Sequence, residues 1–441
     1  MIRLSDHFTS GRLLRFTLPS IIMLVFTSVY GVVDGFFVTN FVGTQEFAAV
    51  NFIMPFLMVM GSVGFMFGTG GSALIAKTIG SGDRKKANEL FSMNVYISFL
   101  CGIVLAVIGF FCVRPVASLL GAGGQMLESS VLYGKIILIA IPAYVLQFEF
   151  QCLFATAEKP KLGLWVTVAA GCTNIVLDLL FVAVFRWGLV GAAVATVVSQ
   201  CVGGFLPFFY FCSDNQSLLR IVGFHFDPRS LGKTCVNGSS ELMSNISMSV
   251  VGMLYNVQLL NYVGENGVSA YGVLMYLNLV FQAVFIGFSV GSAPIVSYHF
   301  GAGNRAELKE LRRKGLRIIA LFSCVMFVSA ELLAKPLSFL FVRADPELYA
   351  ITVRAFFIYS FVFLLSGFSI YGSSFFTALN NGAVSAAIAF LRTLVFQVVS
   401  VLIFPIFWDL DGIWFSIVAA EVLSACVTAT FFVVKRKQYG Y

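Results

Sequence analysis

Charge is what this chain of 441 residues has least of. Asp, Glu, Lys and Arg make up 11% of it, where soluble domains carry about 25%. A water-exposed globular surface cannot be covered at that density, so a soluble fold is excluded. Histidine is scarcer: His7, His225 and His299 fall near the N-terminus, in a polar segment and at the end of an apolar run. They form no cluster with Cys or carboxylates at ligand spacing, so neither a metal centre nor a nucleophilic enzyme site is expected. The nine cysteines lie almost entirely inside apolar runs or at their ends. That argues against a disulfide framework and for small packing residues. No selectivity-loop repeat marks a channel, and no ten-residue alternation marks a barrel.

Long apolar runs are what the chain does have. Apolar residues make up 59%, mean hydropathy is +0.92, and a spanning helix needs about 20 largely apolar residues. Twelve runs read as spans: 13–40, 51–76, 91–113, 133–157, 164–185, 191–212, 231–262, 271–300, 316–333, 349–378, 385–407 and 413–434. The first is too long for a cleaved leader and is expected to remain a span. With the N-terminus in the cytoplasm, the inner ends collect 21 Lys and Arg, from Arg3 to Lys437. The outer ends hold six, namely Arg114, Lys135, Arg186, Lys335, Arg343 and Arg354. This positive-inside bias places both termini in the cytoplasm, at the plasma (inner) membrane. It also accounts for the net charge of +7 with no nucleic-acid partner.

The chain repeats itself at an offset of 221 residues, the spacing from Gly43 to Gly264. Ala49 falls on Ala270, Met54 on Met275, Gly70 on Gly291, Gly80 on Gly301, Gly82 on Gly303, Arg84 on Arg305, Pro115 on Pro336, Phe154 on Phe375 and Gly191 on Gly412. Each half holds six spans, an even number, so the halves enter from the same side and the repeat is parallel. The expected fold is therefore an all-α integral membrane protein of 12 transmembrane helices in two six-helix lobes. Residues 1–212 form the N-lobe, 213–230 a cytoplasmic linker and 231–441 the C-lobe. The copied loops Gly80–Arg84 and Gly301–Arg305 read as helix ends with basic anchors at the headgroups.

An ionisable side chain at the centre of a span costs about 2.5–3.5 kcal/mol on insertion scales, so it usually faces a wet cavity or a partner. Asp34, Glu149, Asp178, Arg392 and Glu421 lie deep in spans, and Glu241 lies nearer the inner part of the seventh. Glu331, near an outer end, can reach the interface. Asn174 and Asp178 are four apart and share a helix face, with Thr173 beside them. Such an oxygen-rich face can hold a proton or a dehydrated Na⁺, or it can simply glue helices together. Spacing leaves both readings open. Pro19 removes one backbone hydrogen bond between Asp34 and the inner end and permits a gating bend. Arg392 and Glu421 read as a structural ion pair joining spans 11 and 12.

These residues carry a resemblance. The best stretches are Val33-Asp34-Gly35-Phe36-Phe37-Val38, Gly80-Ser81-Gly82-Asp83, Ala157-Glu158-Lys159-Pro160, Thr173-Asn174-Ile175-Val176-Leu177-Asp178, Gly188-Leu189-Val190-Gly191-Ala192-Ala193, and Gly412-Ile413-Trp414 followed by Ala420-Glu421. In that order, on a six-plus-six repeat, the chain resembles the multidrug and toxic compound extrusion (MATE) family, prokaryotic type. That family belongs to the multidrug/oligosaccharidyl-lipid/polysaccharide exporter superfamily. The resemblance implies a V-shaped pair of lobes and export of bulky, often cationic amphipathic compounds by H⁺ or Na⁺ antiport through alternating access. By position, Asp34, Asn174, Asp178 and Thr196 look like the family's N-lobe cation site, and Pro19 like the proline at which span 1 bends. Two acids of some branches are missing. Asn245, Ser247 and Ser249 occupy the depth of the one in span 7, and Ser360–Thr377 holds no carboxylate for the one in span 10.

Met54, Met58, Tyr255, Met275, Tyr276 and Phe281 are expected to give the substrate a deformable wall. Gln147, Glu149, Gln151, Glu241 and Gln282 would add polar anchors. A rival within the superfamily, a lipid-linked oligosaccharide flippase, needs a cationic cavity for a pyrophosphate, whereas Arg392 is the one base inside a span. A major-facilitator transporter shares the repeat but needs a further glycine after Asp83-Arg84, where Lys85-Lys86-Ala87 stands. No cofactor is expected beyond the coupling ion, and the partners expected are small organic substrates and lipid around a monomer.

Overall fold

The computed structural model of the protein describes residues 2–342 and 345–441, with the side chains among them except those of Phe36, Thr39, Asn40, Thr44, Gln45 and Glu265. Arg343, counted above at an outer end, lies outside the described residues. The described chain is helical throughout. Its first half comprises α1 (Ser10–Phe37), α2 (Thr44–Gly80), α3 (Arg84–Leu119), α4 (Gly124–Ile139), α5 (Ile141–Thr156), α6 (Pro160–Asp178) and α7 (Gly188–Cys212). The second half comprises α8 (Pro228–Val263), α9 (Glu265–Gly301), α10 (Arg305–Val342), α11 (Pro346–Tyr359), α12 (Val362–Ala378), α13 (Gly382–Phe390), α14 (Phe396–Ile403) and α15 (Pro405–Val434). Short polar side chains start many of them. Thr9, Asp83, Asp227, Asp345 and Asn381 each accept a backbone N–H of the first turn, which satisfies donors that a helix start leaves free. After α2 and α9 the chain turns at Gly82 and Gly303, whose φ values of +92° and +70° suit glycine.

Two expected spans are broken. Residues 133–157 belong to α4 and α5, which start earlier and bend by 61° at Ala140. Pro142 stands in the first turn of α5, where a missing N–H costs nothing. Span 10 is α11 and α12, bent by 49°. Among the described residues nine helices are long and apolar enough to cross a membrane, and eleven spans result when each bent pair counts as one. The twelfth, α8, has the length but is rich in Ser and Asn and carries Arg229, Lys233 and Glu241. Hydropathy alone therefore understates it. It is packed against α2, α9 and α13, so its polar face is covered by protein.

The lobes meet through α1 against α9, α2 against α8, and α2 against α9. Glycine makes the closest approaches. A Cβ on Gly80 would stand 2.0 Å from the Tyr298 carbonyl oxygen, and one on Gly301 would stand 2.0 Å from that of Lys77. The contact is reciprocal under the repeat, since Lys77 and Gly80 fall on Tyr298 and Gly301. Deeper in, Gly70 lies on the Thr234 backbone, Gly238 on that of Met66 and Gly287 on that of Ile21. We call the end carrying Gly80, Gly301 and the clustered Lys and Arg the basic end.

An N-terminal strap adds to this clamp. The Leu4 N–H donates to Glu158 of the N-lobe at 2.7 Å, and the Phe8 N–H donates to Glu307 of α10 at 2.9 Å. Both apolar side chains are fully buried. His7 pairs with Glu307 at 2.7 Å, and Lys314 donates to the Phe8 carbonyl.

Candidate functional site

Asp34 comes from the last turn of α1, at the end away from the basic end, Asn174 and Asp178 from one face of α6, Thr196 from α7 and Tyr133 from α4. Asp34 faces both Asp178 and Asn174 within side-chain reach, and Tyr133 reaches Thr196 while facing both acids. The structure thus brings the four sequence-derived residues into one place. Neither acid forms an ion pair among the described residues. Both carboxylate oxygens of Asp178, Oδ1 of Asp34 and Oδ1 of Asn174 are buried without a hydrogen-bond partner there. Buried charge in that condition is costly. A proton or a small cation removes the cost, and the atoms turned to it are oxygens of the kind a hard cation prefers.

Local helix geometry helps build the site. A π-helical turn, Leu179–Val184, begins immediately after Asp178, and another, Val38–Val42, begins four residues after Asp34. The two turns touch each other. Such bulges leave the regular hydrogen-bond ladder and recur at functional positions. Pro19 sits inside α1, which continues through it as one helix. Just beyond it, Ser20 and Ile21 lie against Gly287.

Tyr133 and Tyr30 are members that sequence reasoning missed. Tyr30 precedes Asp34 by one helical turn, a signal that was available. It faces Asp34 and reaches Gln147. Tyr133 had no such signal, because nothing local links a residue of α4 to acids carried by α1 and α6.

The repeat shows that this chemistry belongs to one lobe. At the offset of 221, Tyr133, Asn174, Asp178 and Thr196 correspond to Arg354, Val395, Val399 and Ile417, and Asp34 corresponds to Tyr255. Tyr255 is buried; its hydroxyl donates to Gln397 and contacts Ser416, each at 2.8 Å, and its ring stacks on Tyr271. The C-lobe has its own polar group instead. Arg392, in a third π-helical turn, Leu391–Val395, donates through Nε to both Glu421 oxygens at 2.9 and 3.0 Å. Glu241 of α8 is in electrostatic contact with Arg392. Removing one partner of a buried pair strands the other, at a cost of about 3–5 kcal/mol. Arg392→Gln is therefore expected to lower the thermal unfolding midpoint in detergent, and adding Glu421→Gln is expected to restore part of it.

The expected substrate wall divides. Met58 is exposed, Met54 and Met275 are half-buried, and Tyr276 reaches across the lobes to Asn51 at 3.3 Å. Phe281 is buried in a stack on Phe363, and Gln282 keeps a buried, unpartnered Oε1. Gln147, Glu149, Gln151 and Tyr255 are buried inside the lobes, because α5 is enclosed by α2, α3 and α7 and Tyr255 is turned into the C-lobe core.

The comparisons agree with this architecture. A sequence profile described as MatE matches residues 19–180 and again residues 242–403. The multidrug export protein MepA of Staphylococcus haemolyticus is 24% identical over 415 residues, 94% of this chain and 91% of that protein. MepA of Staphylococcus aureus (strain MRSA252) is 22% identical over 426 residues, 96% of this chain and 92% of that one. The fold matches an outward-facing conformation of a multidrug resistance MATE family transporter of the MOP superfamily with a TM-score of 0.93. That match has 21% identity and spans 98% of this chain and 97% of that one. One profile recognises both halves of a helical, two-lobed membrane protein, and the chain belongs to the MatE family.

Proposed function

We propose that the protein is a secondary active exporter of amphipathic, often cationic compounds. H⁺ or Na⁺ entering the cell through the Asp34–Asp178 site drives it. The observation that carries the reading is the pair of facing acids with buried, unpartnered oxygens and, among the described residues, no basic residue paired to either. Relatives named as multidrug export proteins support the substrate class. In this reading the basic end faces the cytoplasm of a plasma-membrane protein that acts as a monomer, and the clamped arrangement is outward-facing. Ionised acids favour drug binding; loading the ion reorganises α1 and releases drug outward.

The membrane potential supplies about 2.3 kcal/mol per charge per 100 mV. At about 150 mV one entering ion gives ~3.5 kcal/mol, a few hundredfold in concentration for a neutral substrate. A flippase would need a free base in the cavity, and Arg392 is committed to Glu421.

Drug accumulation in cells decides the reading. Expression is expected to lower accumulation, and an ionophore that collapses the H⁺ or the Na⁺ gradient is expected to restore it. Accumulation that ignores both ionophores refutes ion-driven export.

A further inference from the structure

Besides the acids of the cation site, the N-lobe buries another, Glu149. Glu149 of α5 has no exposed surface, and its one side-chain hydrogen-bond partner among the described residues is Ser98 of α3. Its Oε1 is buried and unpartnered. Ser98 Oγ also lies 3.1 Å from the Val95 carbonyl oxygen, so a hydroxyl with one proton faces two oxygens. The stoichiometry closes if Glu149 carries a proton on Oε2 and donates it to Ser98, which then donates to Val95. The lone Oε1 is then the carbonyl oxygen of a neutral acid rather than half of a buried charge.

The surroundings lead toward the basic end. Asn94 lies one turn from Ser98 on the same face of α3. It abuts Gly71 of α2, and both its amide atoms are buried and unpartnered. Beyond it, Ser72 of α2 and Thr156 of α5 share a 2.7 Å hydrogen bond. Glu149 stands seven residues, or about 10 Å, before the end of α5.

The titratable groups facing Glu149 are Cys101 of α3 and Cys152 of its own helix, with Glu241 of α8 beyond Cys152. On α2, Gly68 packs on the Glu149 backbone, and α7 meets α5 through Gly203 and Gly204. The repeat shows that a six-helix lobe does not need this acid. Asn94, Ser98 and Glu149 correspond to Gly315, Ile319 and Ile370.

We propose that Glu149 is a second proton-binding site of the N-lobe. It would exchange its proton with the basic end along Asn94, Ser72 and Thr156 and serve as the inner station of the coupling path. The proton sits on a carboxylate oxygen as the acid and leaves to water at the basic end, where the carboxylate re-forms. Its role as a station rests on the proposed export reaction, whereas its occupancy by a proton does not.

Infrared difference spectra of the purified protein over a pH titration test the occupancy. Wild type is expected to show a protonated-carboxyl C=O band that is lost in Glu149→Gln and kept in Asp178→Asn. Ser98→Ala, which leaves the acid in place, is expected to shift the band without removing it. H⁺-driven efflux of tetraphenylphosphonium by Glu149→Gln in proteoliposomes is expected to fall at least about tenfold, the scale of losing a positioned proton carrier. A Glu149→Gln spectrum identical to wild type overturns the proposal whatever the efflux shows. Wild-type efflux that ignores the pH gradient defeats the export reading and the station role, and the spectra still decide the site.

Discussion

Asp178→Asn is expected to abolish ion-driven efflux while the protein still folds and reaches the membrane. The side chain is fully buried, and neither of its oxygens has a hydrogen-bond partner among the described residues. Asparagine keeps the volume and removes the charge that would otherwise have to be neutralised by an incoming ion. The stability cost is therefore small, and thermal unfolding in detergent should be unchanged or slightly improved, since an unpartnered buried charge is itself unfavourable. The functional cost is large. Without a site for the ion, the ~3.5 kcal/mol available from one charge at about 150 mV is disconnected from the drug. For a neutral substrate, a few-hundredfold gradient then collapses toward equality.

Asp34→Asn should do the same, and the double variant should be no worse than either, because the two acids act as one unit. The measurement is substrate flux in proteoliposomes under an imposed H⁺ or Na⁺ gradient. Full flux in Asp178→Asn would remove the site from the mechanism.

Much of this arrangement was legible in the sequence, for physical reasons that also mark where legibility stops. Apolar length and the copied glycines give helices and two lobes, because a bilayer allows few other solutions. The i, i+4 spacing of Asn174 and Asp178 puts them on one face whatever else the chain does. Asp34 could be joined to them only through the family resemblance, since nothing local links residues on different helices. Tyr133 was invisible for the same reason, since it comes from α4 and meets the acids only once the helices have packed. Glu149 and Tyr255 were placed on the cleft from depth alone. Depth says how far along a helix a residue lies, while its neighbours decide which way it points. The serine-rich α8 is the converse case: its length and its place in the repeat mark it as a span although its hydropathy is low, and protein covers much of its polar side.

Gly80→Val is expected to disfavour the clamped arrangement strongly and to slow transport with it. A Cβ at position 80 meets the Tyr298 carbonyl oxygen at 2.0 Å and the Ala302 nitrogen at 3.0 Å, and both are backbone atoms, of α9 and of its C-cap, that no side-chain rotation moves out of the way. The helices α2 and α9 must separate at the basic end, and overpacking of this kind costs about 1–3 kcal/mol. Gly301→Val should do the same from the other side, against the Lys77 carbonyl, since the contact is reciprocal.

Two states that interconvert during transport differ by only a few kcal/mol, so this penalty shifts the population roughly 5- to 150-fold toward lobes parted at the basic end. The strap opposes that parting. Leu4 and Phe8 bridge Glu158 of one lobe to Glu307 of the other, so opening at this end also breaks one of those backbone hydrogen bonds. A Lys77→Cys, Tyr298→Cys pair reports the outcome, because these residues are repeat equivalents that flank the contact. The pair should cross-link readily in the otherwise unaltered protein and lose most of its yield when Gly80→Val is added. Equal yields in the two backgrounds would mean that α2 and α9 accommodate the methyl groups without separating, and that the glycines are not what lets the basic end close.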